Sequence, residues 1–295
     1  MLKKYKYHLV LHVIVLLWGF TGILGKLILL SPLQIVWFRV IIAFVSLYIG
    51  LSFLKLPKRI ASPSQFWATL GIGVFVALHW YTFYLSIQLS TASLGILCLS
   101  TVTLHVSWME PLFYGKSFSW IEFLLGLAVV FGISIVCNDF NSNEWLALGY
   151  GLFSALCIAF ISVSNSKLAQ SIPAYSITLH EMGIAVLFIG VVLFCKGELN
   201  AATFVMRVTD LMWLLFLGII CTSFAFLITI ELMKKLGTFT VSLSINLEPV
   251  YTIILAIIVL NEHKLLSYKF YLGACVILAV LILNALIKNK RTNPK

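Results

Sequence analysis

Residues 231–273 read ELMKKLGTFTVSLSINLEPVYTIILAIIVLNEHKLLSYKFYLG, and the middle of this stretch decides the fold. From about Phe239 to Leu260 the chain is apolar for long enough to cross a bilayer as a helix. Near the centre of that run stand Asn246, Glu248 and Pro249. A carboxylate at such depth costs roughly 2.5–3.5 kcal/mol, so it faces protein or a wet cavity rather than lipid. The proline leaves a carbonyl one turn back without its usual donor, which lipid tolerates only where protein or water supplies one. One helix is therefore predicted to carry both a buried acid and a weak point.

The rest of the chain agrees. Of its 295 residues, 61% are hydrophobic and 10% charged, with mean hydropathy +1.07. A soluble domain carries about 25% charged residues, so this surface is one that a membrane solvates. Lys3, Lys4 and Lys6 give the N-terminus a basic front, but the apolar run continues from His8 to Leu30 without a small-residue cleavage site. The first segment is thus expected to stay as a membrane helix rather than leave as a signal peptide.

Turn chemistry divides the sequence into ten expected spans, at about 8–30, 32–54, 66–88, 91–113, 119–137, 145–168, 174–195, 210–232, 239–260 and 268–287. With the N-terminus inside, the cytoplasmic segments collect fourteen basic residues: Lys3, Lys4, Lys6, Lys55, Lys58, Arg59, Lys116, Lys167, Lys234, Lys235, Lys288, Lys290, Arg291 and Lys295. The other face receives four: Lys196, Arg207, Lys264 and Lys269. This asymmetry predicts that both termini are cytoplasmic. The net charge of +10 reflects topology and contact with anionic lipid. Its dispersal over loops argues against nucleic acid as a partner. All six cysteines, Cys98, Cys137, Cys157, Cys195, Cys221 and Cys275, fall in or at the ends of spans with no CxxC pair, and read as small apolar packing residues.

Five spans precede the acidic segment NDFNSNE and five follow it. The halves end alike, with a Gly-Lys turn ahead of Gly126 and an Asn-Glu turn ahead of Gly273. Ahead of these, STASLGILCLS and GTFTVSLSINL both open a span with small and hydroxyl residues. A repeat with an odd number of spans enters the membrane upside down relative to its partner. Such inverted repeats place a site near the midplane between the halves, and rocking of one half on the other alternates access. The predicted units are 1–138 and 145–288, followed by a basic cytoplasmic tail at 289–295.

Over nearly its whole length the chain resembles the EamA-like branch of the drug/metabolite transporter superfamily. The matching residues are Trp18-Gly19 with Lys26, Pro32 and Arg39, and Ser90-Thr91-Ala92-Ser93. In the second half they are Lys235-Leu236-Gly237, Leu247-Glu248-Pro249-Val250, Glu262 and Gly273. The resemblance implies an all-α membrane protein, with ten transmembrane helices as two five-helix inverted repeats around a central cavity, moving small metabolites. There are departures. Gly115-Lys116 stands where the family tends to carry Gly-Glu, and Ser100-Thr101-Val102-Thr103 stands where its fourth span has a proline; a Glu110-Pro111 pair comes later. These departures set a symmetric gating role for the fourth and ninth spans in question.

Several residues are candidates for the solute or ion pathway. Glu248, with Asn246 beside it, could bind a cationic group or take up a proton; the competing reading is a polar pair that holds helices together. Arg39 lies about 10 Å below the outer end of its span and Glu248 about 19 Å below the same face, which predicts a structural ion pair if their helices are neighbours. His79, Trp80, Tyr81 and Tyr84 form an aromatic cluster deep enough to line a cavity and to stack on a ring or amine, with ordinary packing as the alternative. Lys26 is expected to snorkel to the outer headgroups. His105, His180-Glu181 and Asn165 are lesser intramembrane polar groups. Glycines at 19, 22 and 25 of the first span favour close helix approach.

The segment beginning His180-Glu181 has Ile184 at its fifth position, so it lacks the second histidine of HExxH. No nucleophile elbow, phosphate loop or metal-spaced cluster stands elsewhere. The expectation is a secondary transporter of a small organic solute, such as an amino acid or related compound, with no cofactor and no metal. An intramembrane enzyme would need a catalytic constellation, and a receptor or scaffold would favour long loops or a soluble domain. The expected location is the cytoplasmic (inner) membrane of a bacterium, with a homodimer as an open assembly state.

Overall fold

The computed structural model describes residues 2–60, 62–115, 117–137, 140–236, 238–245 and 247–292, all helical or connecting among the described residues. The helices of the first half are α1 (Leu2–Leu27), α2 (Pro32–Phe53), α3 (Pro63–Leu89), α4 (Ala92–Leu99), α5 (Val102–Tyr114) and α6 (Trp120–Val136). Those of the second are α7 (Ser142–Leu168), α8 (Ala174–Cys195), α9 (Val208–Leu215), α10 (Ala225–Leu236), α11 (Thr238–Ile245), α12 (Glu248–Leu260) and α13 (Tyr268–Thr292). A π-helical segment, Phe216–Phe224, joins α9 to α10.

Local chemistry sets the boundaries. Ser31 caps α2 in a capping box with Gln34, and Pro32 occupies the first turn, where its missing N–H is not needed. Asn141 and Glu144 form the same box at the start of α7. Among the described residues, seven helical stretches are long and apolar enough to cross a membrane, and three shorter apolar helices accompany them, Trp120–Val136, Glu248–Leu260 and Tyr268–Asn284. Large apolar side chains such as Leu9, Phe53, Leu124, Leu187 and Ile258 are exposed on the outside of the bundle. The chain is an integral, multi-pass membrane protein.

The two halves interlock. The most extensive packing joins α3 to α7, α6 to α13, α3 to α8 and α1 to α12, each pair crossing from one half to the other. Exchanging the halves preserves the pattern. The contact of α3 with α8 has its counterpart in α2 against the π segment, and that of α1 with α12 in α5 and α4 against α7. At the α6–α13 crossing Gly132 faces Gly273, and a Cβ on Gly273 would lie 2.5 Å from the Gly132 carbonyl oxygen, so only glycine permits this approach.

The most informative correspondence concerns the interrupted spans. α4 has 8 residues, α5 has 13, and two residues, Ser100 and Thr101, separate them. α11 and α12 repeat this with 8 and 13 residues. Both spans end in a left-handed cap, Gly115 at φ 63° and Asn261 at φ 54°. The first half thus breaks where the second does, although it has no proline there. Its hydroxyls act instead: Thr101 Oγ1 donates to Cys98 O at 2.7 Å and Thr103 Oγ1 to Ser100 O at 3.2 Å, while Ser100 N and Thr101 N donate three residues back rather than four. Such back-bonding competes with the helical ladder and ends it locally.

Candidate functional site

At the end of the bundle that carries Ser90, four elements meet around buried polar groups. Glu262, 2% exposed, follows α12 and turns its carboxylate onto the start of α4. It accepts from Ala92 N at 2.8 Å, Ser93 N at 3.1 Å and Ser93 Oγ at 2.6 Å. These are the N–H groups a helix start leaves without partners, and an anion suits the positive end of the helix. Lys26 from α1 donates to the carbonyls of Gln88 and Ser90 at the end of α3. Its expected reach to the headgroups is therefore replaced by satisfaction of helix-end carbonyls inside the protein. Alongside, Arg207 holds Asp210 through two bonds of 2.9 and 2.7 Å, and Asp210 accepts from Leu29 N at 3.0 Å, fixing the start of α9 to the exit of α1.

Deeper in the bundle, Arg39 of α2 is 5% exposed. Its guanidinium carbon lies 3.9 Å from the ring centroid of Trp80, its Nη1 donates to the Tyr84 hydroxyl at 3.0 Å, and its Nε donates to Thr222 Oγ1 at 3.1 Å. A desolvated cation over an indole is worth about 2 kcal/mol. Three of the expected pathway residues, Arg39, Trp80 and Tyr84, are thus brought together, and the Trp80 face expected for a foreign amine holds the protein's own guanidinium. Thr222 comes from the π segment, where it donates back to Leu217 O at 2.8 Å. That irregular turn presents the hydroxyl to Arg39, and no sequence pattern announces it.

The other two members of the cluster point elsewhere. His79 Nδ1 lies 2.8 Å from Ser154 Oγ and 3.0 Å from Ser154 O, so this ring fastens α3 to α7. Tyr81 lines a separate groove with Leu33, Phe188, Val192 and Lys196, between α2, α3 and α8. Successive residues of a helix diverge by about 100°, so only Trp80 and Tyr84, four apart, share one neighbour.

Glu248 opens α12 at the break and is partly buried. Its expected ion pair with Arg39 does not form, because the guanidinium is turned onto α3 and the π segment. Among the described residues, no group bonds to the Glu248 carboxylate, whereas its backbone carbonyl accepts from Thr252 Oγ1 at 2.9 Å. Thr252 and Tyr251 pack directly on Gly19 of α1, and His12 Nδ1 lies 3.0 Å from the Tyr251 hydroxyl, so α1 braces the helix that carries the acid. Ser100 at the break of the other interrupted span is 5% exposed and its hydroxyl finds no partner among the described residues. Asn246 lies outside the described residues.

Comparison with known proteins agrees with this architecture. The profile of the EamA-like transporter family matches residues 6–138 and again 145–285. A solved structure titled only "Crystal structure of protein" aligns with TM-score 0.66 at 14% identity, covering 96% of this chain and 98% of that one, a likeness of fold alone. No curated protein matches the sequence. With both halves covered by the family profile, and with helices that pack as two interchangeable sets, the chain belongs to the EamA-like transporter family.

Proposed function

We propose that this protein is a secondary transporter of a small organic metabolite, such as an amino acid or related compound, working by alternating access. In this reading ten spans form two inverted five-helix repeats, with both termini in the cytoplasm. The observation that carries it is the matched interruption of α4–α5 and α11–α12, beside which the Glu248 carboxylate accepts no hydrogen bond among the described residues. Half-helix ends inside a membrane protein offer a solute the backbone dipoles and unpaired polar groups that regular helices hide. The pathway is assigned to Glu248 at the break, with Asn246 two residues before it in sequence, and is bordered by Arg39, Trp80 and Tyr84; His79 and Tyr81, which the sequence grouped with them, stand apart from it. Arg39 over Trp80 acts there as a removable plug, since an incoming aromatic or cationic solute competes for the same ring face.

Counterflow in proteoliposomes against a panel of amino acids, nucleosides and amines tests the proposal. At least one class should exchange, and Glu248→Gln should lower its turnover about tenfold, roughly 1.4 kcal/mol of barrier, with folded yield unchanged. Exchange of no member of the panel by well-folded protein would remove the reading. Wild-type turnover and pH profile in Glu248→Gln would leave the acid as packing.

A further inference from the structure

A second intramembrane acid lies outside the pathway just described. Glu181 of α8 is 3% exposed. Among the described residues its one hydrogen-bond partner is Asn165 of α7, whose Nδ2 donates to Oε1 at 2.7 Å. The other end of that amide, Asn165 Oδ1, is buried and finds no donor among the described residues. A buried acceptor left unpaired costs about 1–3 kcal/mol, and an ionised carboxylate with one neutral donor costs more.

The same crossing occurs in the other half with opposite chemistry. A Cβ on Gly73 of α3 would meet Ile184 at 2.8 Å and the Cα of Glu181, three residues earlier. A Cβ on Gly218 would meet Ile42 at 2.6 Å and the carbonyl of Arg39, again three residues earlier. Arg39 and Glu181 each stand eighth in their helices. They are equivalent positions of the two halves. Arg39 is surrounded by groups that stabilise its charge, namely the Trp80 face and the Tyr84 and Thr222 oxygens. Among the described residues, Glu181 has no such company. Arg39 on α2 is committed to α3 and the π segment, and His79 on α3 to Ser154. His180 on α8 itself has Nδ1 2.8 Å from Ser176 O. On α10, Lys234 pairs with Glu231 at 2.6 Å on an exposed surface, and Lys235 is exposed beside it. Lys167, two residues beyond Asn165 on α7, is also exposed.

We propose that Glu181 and Asn165 form a proton-binding site, in which Glu181 holds a proton on Oε2 at neutral pH and donates it to Asn165 Oδ1. The two bonds then close an acid–amide ring, with the amide donating to Oε1 and the acid donating to Oδ1, and the orphaned acceptor is satisfied. The proton comes from water and returns to it; no other bond changes. In a transporter that moves α7 against α8, separating the two side chains releases the proton, which makes it a coupling ion. That use rests on the transport reading; the binding does not.

Infrared spectroscopy of the purified protein in lipid tests the binding directly. At neutral pH wild type should show the carbonyl stretch of a protonated carboxyl, lost in Glu181→Gln and retained in Glu248→Gln. In Asn165→Leu the band should remain but move to the position of a carboxyl without that partner. Glutamine reproduces both bonds of the ring, so Glu181→Gln should fold with wild-type yield. It should also lose the fall in thermal stability that wild type shows as pH rises and the bound proton is removed. A band unchanged in folded Glu181→Gln, or a Glu181→Gln protein that does not accumulate, would overturn the proposal. Because none of these readouts needs a substrate, they stand even if the counterflow panel shows no exchange.

Discussion

The interrupted span of the first half, α4–α5, and that of the second, α11–α12, have the same two lengths and the same left-handed stop, yet share little chemistry at the break. One uses Ser100, Thr101 and Thr103 to draw the ladder off course; the other uses Leu247, Glu248 and Pro249, with Leu247 N donating only three residues back, to Ser244 O. A break is thus a property of the architecture, reached by hydroxyl back-bonding or by proline. The residue after each stop differs more sharply. Glu262 crosses to the N–H groups of α4, whereas its counterpart in sequence is Lys116, outside the described residues, and an ammonium cannot accept from a helix start. The position that matches Glu262 in the first half thus carries a base where the second half carries an acid.

Substitutions can break this comparison. The largest effect is expected for Ser107→Pro, in the regular part of α5, where proline removes a ladder bond and clashes with the preceding turn. Unfolding of the purified protein, followed by tryptophan fluorescence, should report a loss of about 3 kcal/mol or more. Glu262→Ala should follow, with roughly 2–3 kcal/mol lost as three bonds to α4 disappear. Glu262→Gln, which retains an acceptor without the charge, should fall between alanine and wild type.

Thr103→Pro sharpens the comparison, since it moves the proline of the second break to the matching position of the first. As a residue of the first turn of α5 it should cost less than about 1 kcal/mol, well below Ser107→Pro. Equal losses for the two prolines would mean that α4–α5 is one continuous helix. The smallest effect is expected for Pro249→Ala, within about 0.5 kcal/mol, because Pro249 sits in the first turn of α12, where its missing N–H is not needed. A large stabilisation there would show that the proline alone enforces the second break.

Most of the helical plan was legible in the sequence, because apolar runs and turn residues bound each segment. Glu248 and Pro249 were legible as a break for the same reason. The break at Ser100 was not, since serine and threonine occur inside many unbroken helices and only their bonding to Cys98 and Ser100 carbonyls distinguishes this case. Arg39 and the aromatics of α3 were legible as a group, but their pairing was not. Depth along an axis predicts reach and not rotation, so an ion pair with Glu248 was expected where Trp80 and Tyr84 take the guanidinium. Thr222 gave no signal, because a π segment presents it; Asn165 and Glu181 were legible as intramembrane polar groups, but not their pairing, which depends on one contact across a helix interface.

The interlocking of the halves bears on how the protein is made. Its broadest contacts, α3 with α7, α6 with α13 and α1 with α12, all await residues synthesised after 141. The helices of the first repeat therefore keep their mating faces against lipid, or against the insertion machinery, until the second repeat emerges. The chain contains two repeats but one shared packing interface, so neither repeat completes its own packing before the other is made.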